Sequence, residues 1–247
     1  LVPDNSVLIY SAHGVSKDVK KSAKQKSLKI FDATCPLVTK VHMEVHKHAK
    51  NGTDVILIGH NGHPEIEGTM GQYDSDRGNI HLIENEEDVQ KLEIDNHDLA
   101  YVTQTTLSMD DTSKIINCLK ERFPNIKSPA KEDICYATQN RQDAVKQLAL
   151  ETQLILVVGS ENSSNSNRLK ELAEKSGSKS YLVDDPDQIS REMLKNVSAL
   201  GITAGASAPE ELVQSIVHKC VSFGYSNEEE LDGLEENIYF KLPAELR

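Results

Sequence analysis

Long apolar stretches and clusters of basic residues are both missing from this sequence of 247 residues. No run approaches the roughly 18 consecutive apolar residues of a membrane-spanning helix, so we expect no such helix. The formal net charge is -12 and no lysine- or arginine-rich run interrupts the acidity, which argues against nucleic-acid binding. A small anionic ligand is compatible with this charge, because main-chain amides at helix starts bind anions without cationic side chains.

Cysteine is also scarce, with four residues at positions 35, 118, 135 and 220. These are too few for a disulfide scaffold in a chain of this length, so a reducing cytosol is the expected setting. Residues 1–14 have neither the basic start nor the long apolar segment of a signal peptide. An apolar run at 7–12 reads instead as a buried strand. Because a core strand begins so close to Leu1, we expect that a further part of the fold precedes Leu1 and is missing here.

Apolar runs typical of strands alternate with segments of helical spacing along the whole chain. This alternation predicts an α/β fold with parallel sheets, whose strands are buried on both faces. The predicted strands are 7–12, 28–33, 54–60, 80–83, 99–105, 154–160, 180–185 and 199–205. The predicted helices are 36–52, 108–124, 138–151, 166–177 and 207–224.

An internal repeat organises these elements. Residues of matching type and context recur one hundred positions apart, namely Cys35 with Cys135, Gly59 with Gly159, and Thr103 with Thr203. The predicted units are the remainder of a first unit (1–34), a second (35–134), a third (135–220) and a C-terminal extension (221–247). We expect the three pseudo-repeated units to surround a central site, and the repeat predicts a further cysteine before Leu1.

Cys35 and Cys135 are candidate metal ligands, because each lies at a strand-to-helix junction where a helix N-terminus stabilises a thiolate. Equivalent positions in repeats around an axis converge on one point. Three thiolates there would leave one iron of a [4Fe–4S] cluster open, whereas structural zinc would want a fourth ligand. A buried cysteine acting as a small hydrophobe is the alternative, and we expect that role for Cys118 and Cys220 within amphipathic helices.

The Gly-rich segment 59–68 places His60, His63 and Glu65 after a predicted strand, where open α/β sheets bind ligands. The alternatives are a loop with incidental histidines and a zinc hydrolase site. His13 occupies the matching loop of the first unit. Histidine binds diphosphate or transfers protons near neutral pH, so these loops are candidate substrate sites.

Hydroxyl and amide side chains dominate the corresponding loop of the last unit. Ser163, Ser164 and Asn165 precede a predicted helix and, with its free N–H groups, predict an anion pocket. A single helix N-cap would need only one such residue. Ser207 before a helix opened by proline, and Thr105 after another strand, repeat this design. The pattern indicates a phosphate site without lysines.

Two further patterns receive simpler interpretations. His42 and His46 are four residues apart on a predicted helix but do not form an HExxH motif, and we interpret them as part of a solvated helix face. The acidic run 228–236 reads as a solvated linker before a strand at 237–242.

Seven motifs in order resemble the 4-hydroxy-3-methylbut-2-enyl diphosphate reductase family, and they span nearly the whole chain. They are SAHGVS, DATCPLVTKVH, GHNGHPEIEGTMGQY, VTQTTLS, DICYATQNRQ, GSENSSNSNRL and TAGASAPEELVQ. The resemblance implies three α/β units around a pseudo-threefold axis with a [4Fe–4S] cluster at the centre. It also implies that one cluster cysteine and one substrate histidine lie before Leu1.

The resemblance assigns a role to each candidate residue. It implies Cys35 and Cys135 as cluster ligands, His13, His63, Ser163, Ser164, Asn165 and Ser207 as diphosphate ligands, Glu65 as proton source, and Thr105 as the hydroxyl that orients substrate and relays protons.

The implied activity is reductive dehydroxylation of 4-hydroxy-3-methylbut-2-enyl diphosphate to isopentenyl and dimethylallyl diphosphate. An external one-electron donor such as ferredoxin or flavodoxin would supply electrons, in the bacterial cytoplasm or a plastid. A zinc-dependent hydrolase using His60, His63 and Glu65, and a non-catalytic diphosphate-binding module, are the alternatives. Metal analysis separates them, because they predict zinc or no metal in place of iron with sulfide.

Overall fold

A computed structural model describes residues 2–95, 98–231, 233–234, 236–242 and 246. The chain divides into two compact units. Unit 1 comprises Leu1–Thr105, Asp110–Ile134 and Ile238–Arg247, and unit 2 comprises Thr106–Met109 and Cys135–Asn237. No helix in the described part of the chain is both long and apolar enough to cross a membrane.

Unit 1 contains two parallel sheets. The first pairs β1 (Val7–Tyr10) with β2 (Lys29–Asp32), and the second has the order β4 (Ile80–Ile83), β3 (Asp54–Ile58), β5 (Leu99–Thr103). The helices of this part of the chain are α1 (Lys17–Gln25), α2 (Pro36–Asn51), α3 (Pro64–Met70), α4 (Glu86–Lys91) and α5 (Met109–Arg122).

Unit 2 is built on one parallel sheet of order β7 (Lys179–Val183), β6 (Leu154–Val158), β8 (Leu200–Ala204). Its helices are α6 (Tyr136–Glu151), α7 (Ser164–Lys175) and α8 (Glu210–Ser222), with a short 3-10 helix at Pro186–Gln188. The prediction of parallel-sheet α/β units is therefore confirmed.

The internal repeat is visible in the order and bounds of the elements. Strand β3 and strand β6 start one hundred residues apart and are each the centre of a three-stranded sheet, and α2 and α6 precede them at the same spacing. Every residue of both central strands is buried, which explains why they read as unbroken apolar runs. The division of the chain into units at 1–34, 35–134, 135–220 and 221–247 stays a prediction.

Three helices escape the sequence analysis because they are short or polar: α1, α3 and α4. The segment 237–242 was predicted to be a strand, and this is wrong. It forms no strand in the described structure because it pairs with no strand edge there, and Tyr239 is exposed. A sequence with strand propensity still needs a partner to satisfy its main-chain groups.

The interpretation of the α2 histidines as a solvated face is also wrong for His42, which is 8% exposed. The inward face of α2 is set by the valines at 38, 41 and 45, and His42 lies beside two of them. Burial, with a smaller contribution from Lys20, lowers the pKa of His42 to about 4. His42 is thus a neutral buried side chain, whereas His46 is only partly buried and contacts Lys17.

Candidate active site

The clearest feature of unit 1 is a buried carboxyl bound at both oxygens by one threonine. Glu65 lies in the first turn of α3 and Thr105 lies just after β5. The Thr105 N–H donates to Glu65 Oε1 (2.7 Å), and the Thr105 hydroxyl donates to Oε2 (3.0 Å). Both residues are buried, and Glu65 is only 2% exposed. The structure thus brings together two residues that the sequence placed in separate motifs.

Burial decides the protonation state of this carboxyl. Removal from water raises the pKa of Glu65 to about 7, the two hydrogen bonds from Thr105 partly oppose this rise, and the nearby Asp133 adds to it. A carboxyl with this pKa exists in both forms near neutral pH. It can therefore hold a proton on one oxygen and release it, as a general acid requires.

His63 lies two residues before Glu65 and contacts its main chain. It is the N-cap of α3, and its Nδ1 accepts a hydrogen bond from the Glu65 N–H (3.1 Å). Burial, followed by the neighbouring His13 and His60, lowers the pKa of His63 to about 4. A neutral imidazole that accepts at Nδ1 carries its proton on Nε2, which leaves Nε2–H as a donor.

The structure also brings His13 to His63. Their rings meet edge to face with centroids 5.2 Å apart, and the Ser11 hydroxyl lies 3.4 Å from His13 Nδ1. The loop that carries His13 is bound to the start of α2, because the Cys35 N–H donates to the Ala12 carbonyl (3.0 Å). His13, His63 and the Cys35 junction therefore form one connected part of unit 1.

The zinc hydrolase alternative finds no support in the geometry. His63 Nδ1 and both Glu65 oxygens are bound within the protein, while His60 faces Glu84 (3.6 Å). No group of three or more His, Cys, Asp or Glu side chains that could hold a metal ion occurs among the described residues.

Helix α7 carries the candidate anion-binding residues of unit 2. Ser163 is its N-cap and accepts from the Ser166 N–H (3.3 Å), so one serine does the capping. Ser164 and Asn165 form the first turn, and the Ser164 hydroxyl lies 3.3 Å from the Thr106 hydroxyl. Asn165 is 5% exposed, and its amide nitrogen and oxygen have no hydrogen-bond partner in the described structure. An unpaired buried amide is costly, which favours a ligand at this position.

Two glycines bring this helix start close to the strand ends. A Cβ on Gly159 would lie 2.2 Å from Ser166 Oγ, and a Cβ on Gly205 would lie 2.1 Å from the same atom. Ser207 lies in the following loop and is exposed. The predicted helix 207–224 begins later than expected: Pro209 is the N-cap of α8, and the helix starts at Glu210. Ser207 therefore has no part in capping that helix.

Each candidate cluster cysteine is the N-cap of a helix. The Cys35 side chain makes no capping hydrogen bond at the start of α2, so its sulfur is not used there. Cys135 Sγ accepts from the Thr138 N–H (3.4 Å) and lies 3.0 Å from the Thr138 hydroxyl. Each cysteine taken alone fits the chemistry of an iron ligand. Of the other two cysteines, Cys220 is buried as expected, whereas Cys118 is only partly buried.

The sequence analysis missed supporting residues that carry no motif. Lys40 on α2 binds the carboxylate of Asp133 (2.9 Å) and the carbonyls of Lys131 and Glu132. Asp133 also accepts from the Thr103 N–H (2.9 Å). The pair joins α2 to the end of β5, and only its separation of more than ninety residues hides it from sequence reasoning.

Comparison with known proteins agrees with the resemblance. The family model described as LytB protein matches residues 1–221. A relative from Methylococcus capsulatus, named 4-hydroxy-3-methylbut-2-enyl diphosphate reductase, is 57% identical over 247 residues, which is 100% of this chain and 79% of the relative. A relative of the same name from Haemophilus influenzae is 59% identical with the same coverage.

A solved structure gives the same result for the fold. The E-1-hydroxy-2-methyl-but-2-enyl-4-diphosphate reductase from Plasmodium falciparum superposes with a TM-score of 0.92 at 40% identity, covering 99% of this chain and 77% of that one. A second solved structure, of (E)-4-hydroxy-3-methyl-but-2-enyl diphosphate reductase, has a TM-score of 0.61 at 28% identity, covering 90% and 78%. This chain belongs to the LytB family of 4-hydroxy-3-methylbut-2-enyl diphosphate reductases.

Proposed function

We propose that this chain performs the reaction for which its relatives are named, the reductive removal of the hydroxyl group of 4-hydroxy-3-methylbut-2-enyl diphosphate, giving isopentenyl and dimethylallyl diphosphate. The reaction breaks a C–O bond, releases the oxygen as water and places a hydrogen on carbon, so it consumes two electrons and two protons. The observation that carries the proposal is the buried Glu65–Thr105 pair, which can hold and deliver protons.

Glu65 and Thr105 together form a short proton path. When Glu65 is ionised, the Thr105 hydroxyl donates to Oε2 across 3.0 Å. When Glu65 is protonated at Oε2, the same contact reverses and Thr105 is free to donate its own hydrogen to the substrate. A proton thus passes from the buried carboxyl to the substrate oxygen without admitting water to the carboxyl.

His13 and His63 are the proposed diphosphate donors of unit 1. The Nδ1 of His63 is held by the Glu65 N–H, so its Nε2–H is directed away from the helix and can donate to a diphosphate oxygen. His13 stands edge to face against it and presents a second imidazole. The two rings offer N–H donors to the anion without a lysine.

Ser163, Ser164, Asn165 and Ser207 are the proposed diphosphate ligands of unit 2. The first three lie at the N-terminus of the twelve-residue helix α7, where the helix dipole and unpaired N–H groups favour an anion. The unpaired amide of Asn165 would gain a partner on binding. Ser207 is exposed in the loop before α8 and would add a hydroxyl from a second element.

Cys35 and Cys135 are the proposed ligands of a [4Fe–4S] cluster. Each is the N-cap of a helix, at the matching starts of α2 and α6, and cysteine is the usual ligand of iron–sulfur clusters. When bound, such a cluster supplies electrons one at a time and a Lewis-acidic iron for the substrate oxygen. The electrons would come from an external one-electron donor of the ferredoxin or flavodoxin class.

Glu65→Gln tests the proposal. The glutamine oxygen can still accept from the Thr105 N–H and its amide can donate to the Thr105 hydroxyl, so the fold should survive while the acidic proton is lost. We expect kcat to fall by about 100-fold or more in the cluster-loaded protein, with unchanged iron and sulfide content.

Glu67→Gln is the matched control, because Glu67 is exposed on the same helix. Its turnover should equal that of the wild type. Near-normal turnover of the Glu65 variant would show that this carboxyl does not supply the proton, and the proposal would lose its main support.

A further inference from the structure

The loop that carries His13 packs directly against α3, the helix that begins after His63. A Cβ on Gly68 would lie 3.2 Å from both the carbonyl carbon and the oxygen of Gly14. Contacts this short are tighter than a Cβ normally makes, so glycine at position 68 lets the loop main chain touch the helix. One turn further on, the Lys17 N–H donates to the Gly71 carbonyl (3.2 Å).

Gln72 bridges the two elements at this contact. Its Nε2 donates to the Gly68 carbonyl on α3 (2.7 Å) and to the Val15 carbonyl two residues after His13 (3.0 Å). Both hydrogens of the amide nitrogen are thereby used. The side chain is 7% exposed, so water does not compete for these carbonyls. No other side chain bonds the Val15 carbonyl among the described residues.

We propose that Gln72 is a positioning residue, which sets the spacing of His13 and His63 by tying the His13 loop to α3. That Gln72 sets the distance between the two histidines is a claim about structure alone. That this distance matters for diphosphate binding rests on the proposed function. Gln72 touches neither histidine, and it acts through Val15 on one side and through the body of α3 on the other.

Gln72→Met tests the inference by keeping side-chain length while removing both donors. Two buried carbonyls lose their partner, and the loop should move away from α3 to reach water. We expect the imidazole NMR resonances of His13 and His63 to shift. The pKa of His63, held near 4 by burial and by His13, should rise towards its ordinary value as the two rings separate.

Tyr73→Phe is the matched control. Its hydroxyl donates to the Thr53 carbonyl (2.8 Å), so this variant also deprives a carbonyl of a side-chain donor. Thr53 precedes β3, whereas the His63 loop follows the other end of that strand. The control should lose similar stability and leave both histidine resonances unchanged.

Gly68→Ala provides a second route should Gln72→Met not fold. Alanine favours the helix more than glycine does, so α3 is not weakened. The added methyl meets the Gly14 main chain at 3.2 Å and must displace the loop by a few tenths of an ångström while Gln72 is intact. The same two histidine resonances should move.

Calorimetry with inorganic pyrophosphate separates this inference from the proposed function. We expect affinity to fall roughly tenfold in Gln72→Met, the scale of a lost hydrogen bond, and KM to rise more than kcat falls. Unchanged histidine resonances in the folded variants would overturn the inference. Shifted resonances with unchanged pyrophosphate affinity would support the positioning role and contradict the assignment of the histidines to diphosphate.

Discussion

Glu65 shows how an environment, and not a motif, gives a residue its chemistry. Its carboxyl is buried in the first turn of a short helix, and its only strong partner in the described structure is Thr105, which bonds both oxygens. Burial raises its pKa, and the hydrogen bonds from Thr105 limit that rise. The residue is therefore poised near neutrality by two opposing effects.

Thr105→Val should raise the pKa of Glu65 above about 7, because valine removes the hydroxyl that stabilises the ionised form while the main-chain donor stays. The protonated form of Glu65 would persist to higher pH, so the alkaline decline of kcat/KM should move to higher pH. The value of kcat should fall, because the hydroxyl that passes the proton to the substrate is lost. Carbon-13 NMR of the Glu65 carboxyl measures the pKa directly.

Thr53→Val is the control for this prediction, since Thr53 is also buried and its hydroxyl also donates to a carboxylate, that of Asp98 (2.9 Å). It should leave the Glu65 titration in place. A fall in the Glu65 pKa on Thr105→Val would contradict the account of the two opposing effects.

The site residues that sequence reasoning found have a local signature, whereas those it missed have none. Glu65, His63 and Thr105 were predicted because they follow strands, where ligands bind in this class of fold. Gln72 and Lys40 act through main-chain carbonyls of distant segments. His42 is buried because of the side of α2 that faces inward. Such roles depend on tertiary packing, which one sequence does not specify.

At the scale of elements, the strands were predictable and one functional helix was not. Eight of the nine predicted strands occur, because they are short apolar runs that can be recognised without knowledge of the packing. The prediction that 7–12 is a buried strand is wrong in part: the strand forms at Val7–Tyr10, but Val7 and Ile9 are 61% and 64% exposed. Helix α3 has only seven residues and contains a glycine. Its start was nevertheless marked by Pro64 at the first position and by acidic residues in the first turn, which are typical helix-start signals.

The repeat gives α3 and α7 the same packing device. A Cβ on Gly59 would lie 2.1 Å from Ile66 Cδ1, and a Cβ on Gly159 would lie 2.2 Å from Ser166 Oγ. In both units a glycine at the strand end thus lets the third residue of the following helix pack closely against the sheet. This contact holds the helix start, and with it the candidate site residues, at the strand ends.

Gly59→Ala should destabilise the protein by about 1–3 kcal/mol through overpacking against Ile66. Ile66→Val removes the atom that the new methyl would strike first, so the double variant should recover part of that loss. Urea unfolding of the two single variants and the double variant measures the coupling, expected at roughly 0.5–3 kcal/mol.

Gly177→Ala serves as the control. Apart from its two chain neighbours, no described residue has an atom within 4 Å of the Gly177 Cβ position, so the cost of this substitution comes from a φ of +94°. That cost should be the same whether residue 66 is isoleucine or valine. If the free-energy changes of Gly59→Ala and Ile66→Val simply add, as those of Gly177→Ala and Ile66→Val should, the contact of Gly59 with Ile66 has no energetic role.

At the scale of the whole molecule, the chain is acidic, and none of its candidate diphosphate residues is a lysine or an arginine. The net charge is -12, yet the candidate diphosphate residues are histidines, serines and an asparagine. Imidazoles, hydroxyls and the N-terminus of α7 can bind an anion without the long-range attraction of lysines. The acidity seen in the composition therefore argues against nucleic acid but is compatible with a diphosphate substrate.

The assignment of Cys35 and Cys135 as cluster ligands is the central claim, and iron and sulfide analysis tests it most directly. The relatives are longer than this chain, so we would place the chain in a chimera, where it replaces the matching 79% of the Methylococcus capsulatus relative. Cys35→Ser and Cys135→Ser are the test variants. Cys118→Ser is the control, since Cys118 lies on α5 beside Gln90.

Anaerobically purified protein is then assayed for iron, acid-labile sulfide and the Mössbauer spectrum of the cluster. The account predicts four irons with four sulfides for the unmodified chimera and for Cys118→Ser, as a [4Fe–4S] cluster contains. It predicts loss of cluster in both test variants. Retention of a full cluster after either substitution, or zinc without sulfide in the unmodified protein, would contradict it.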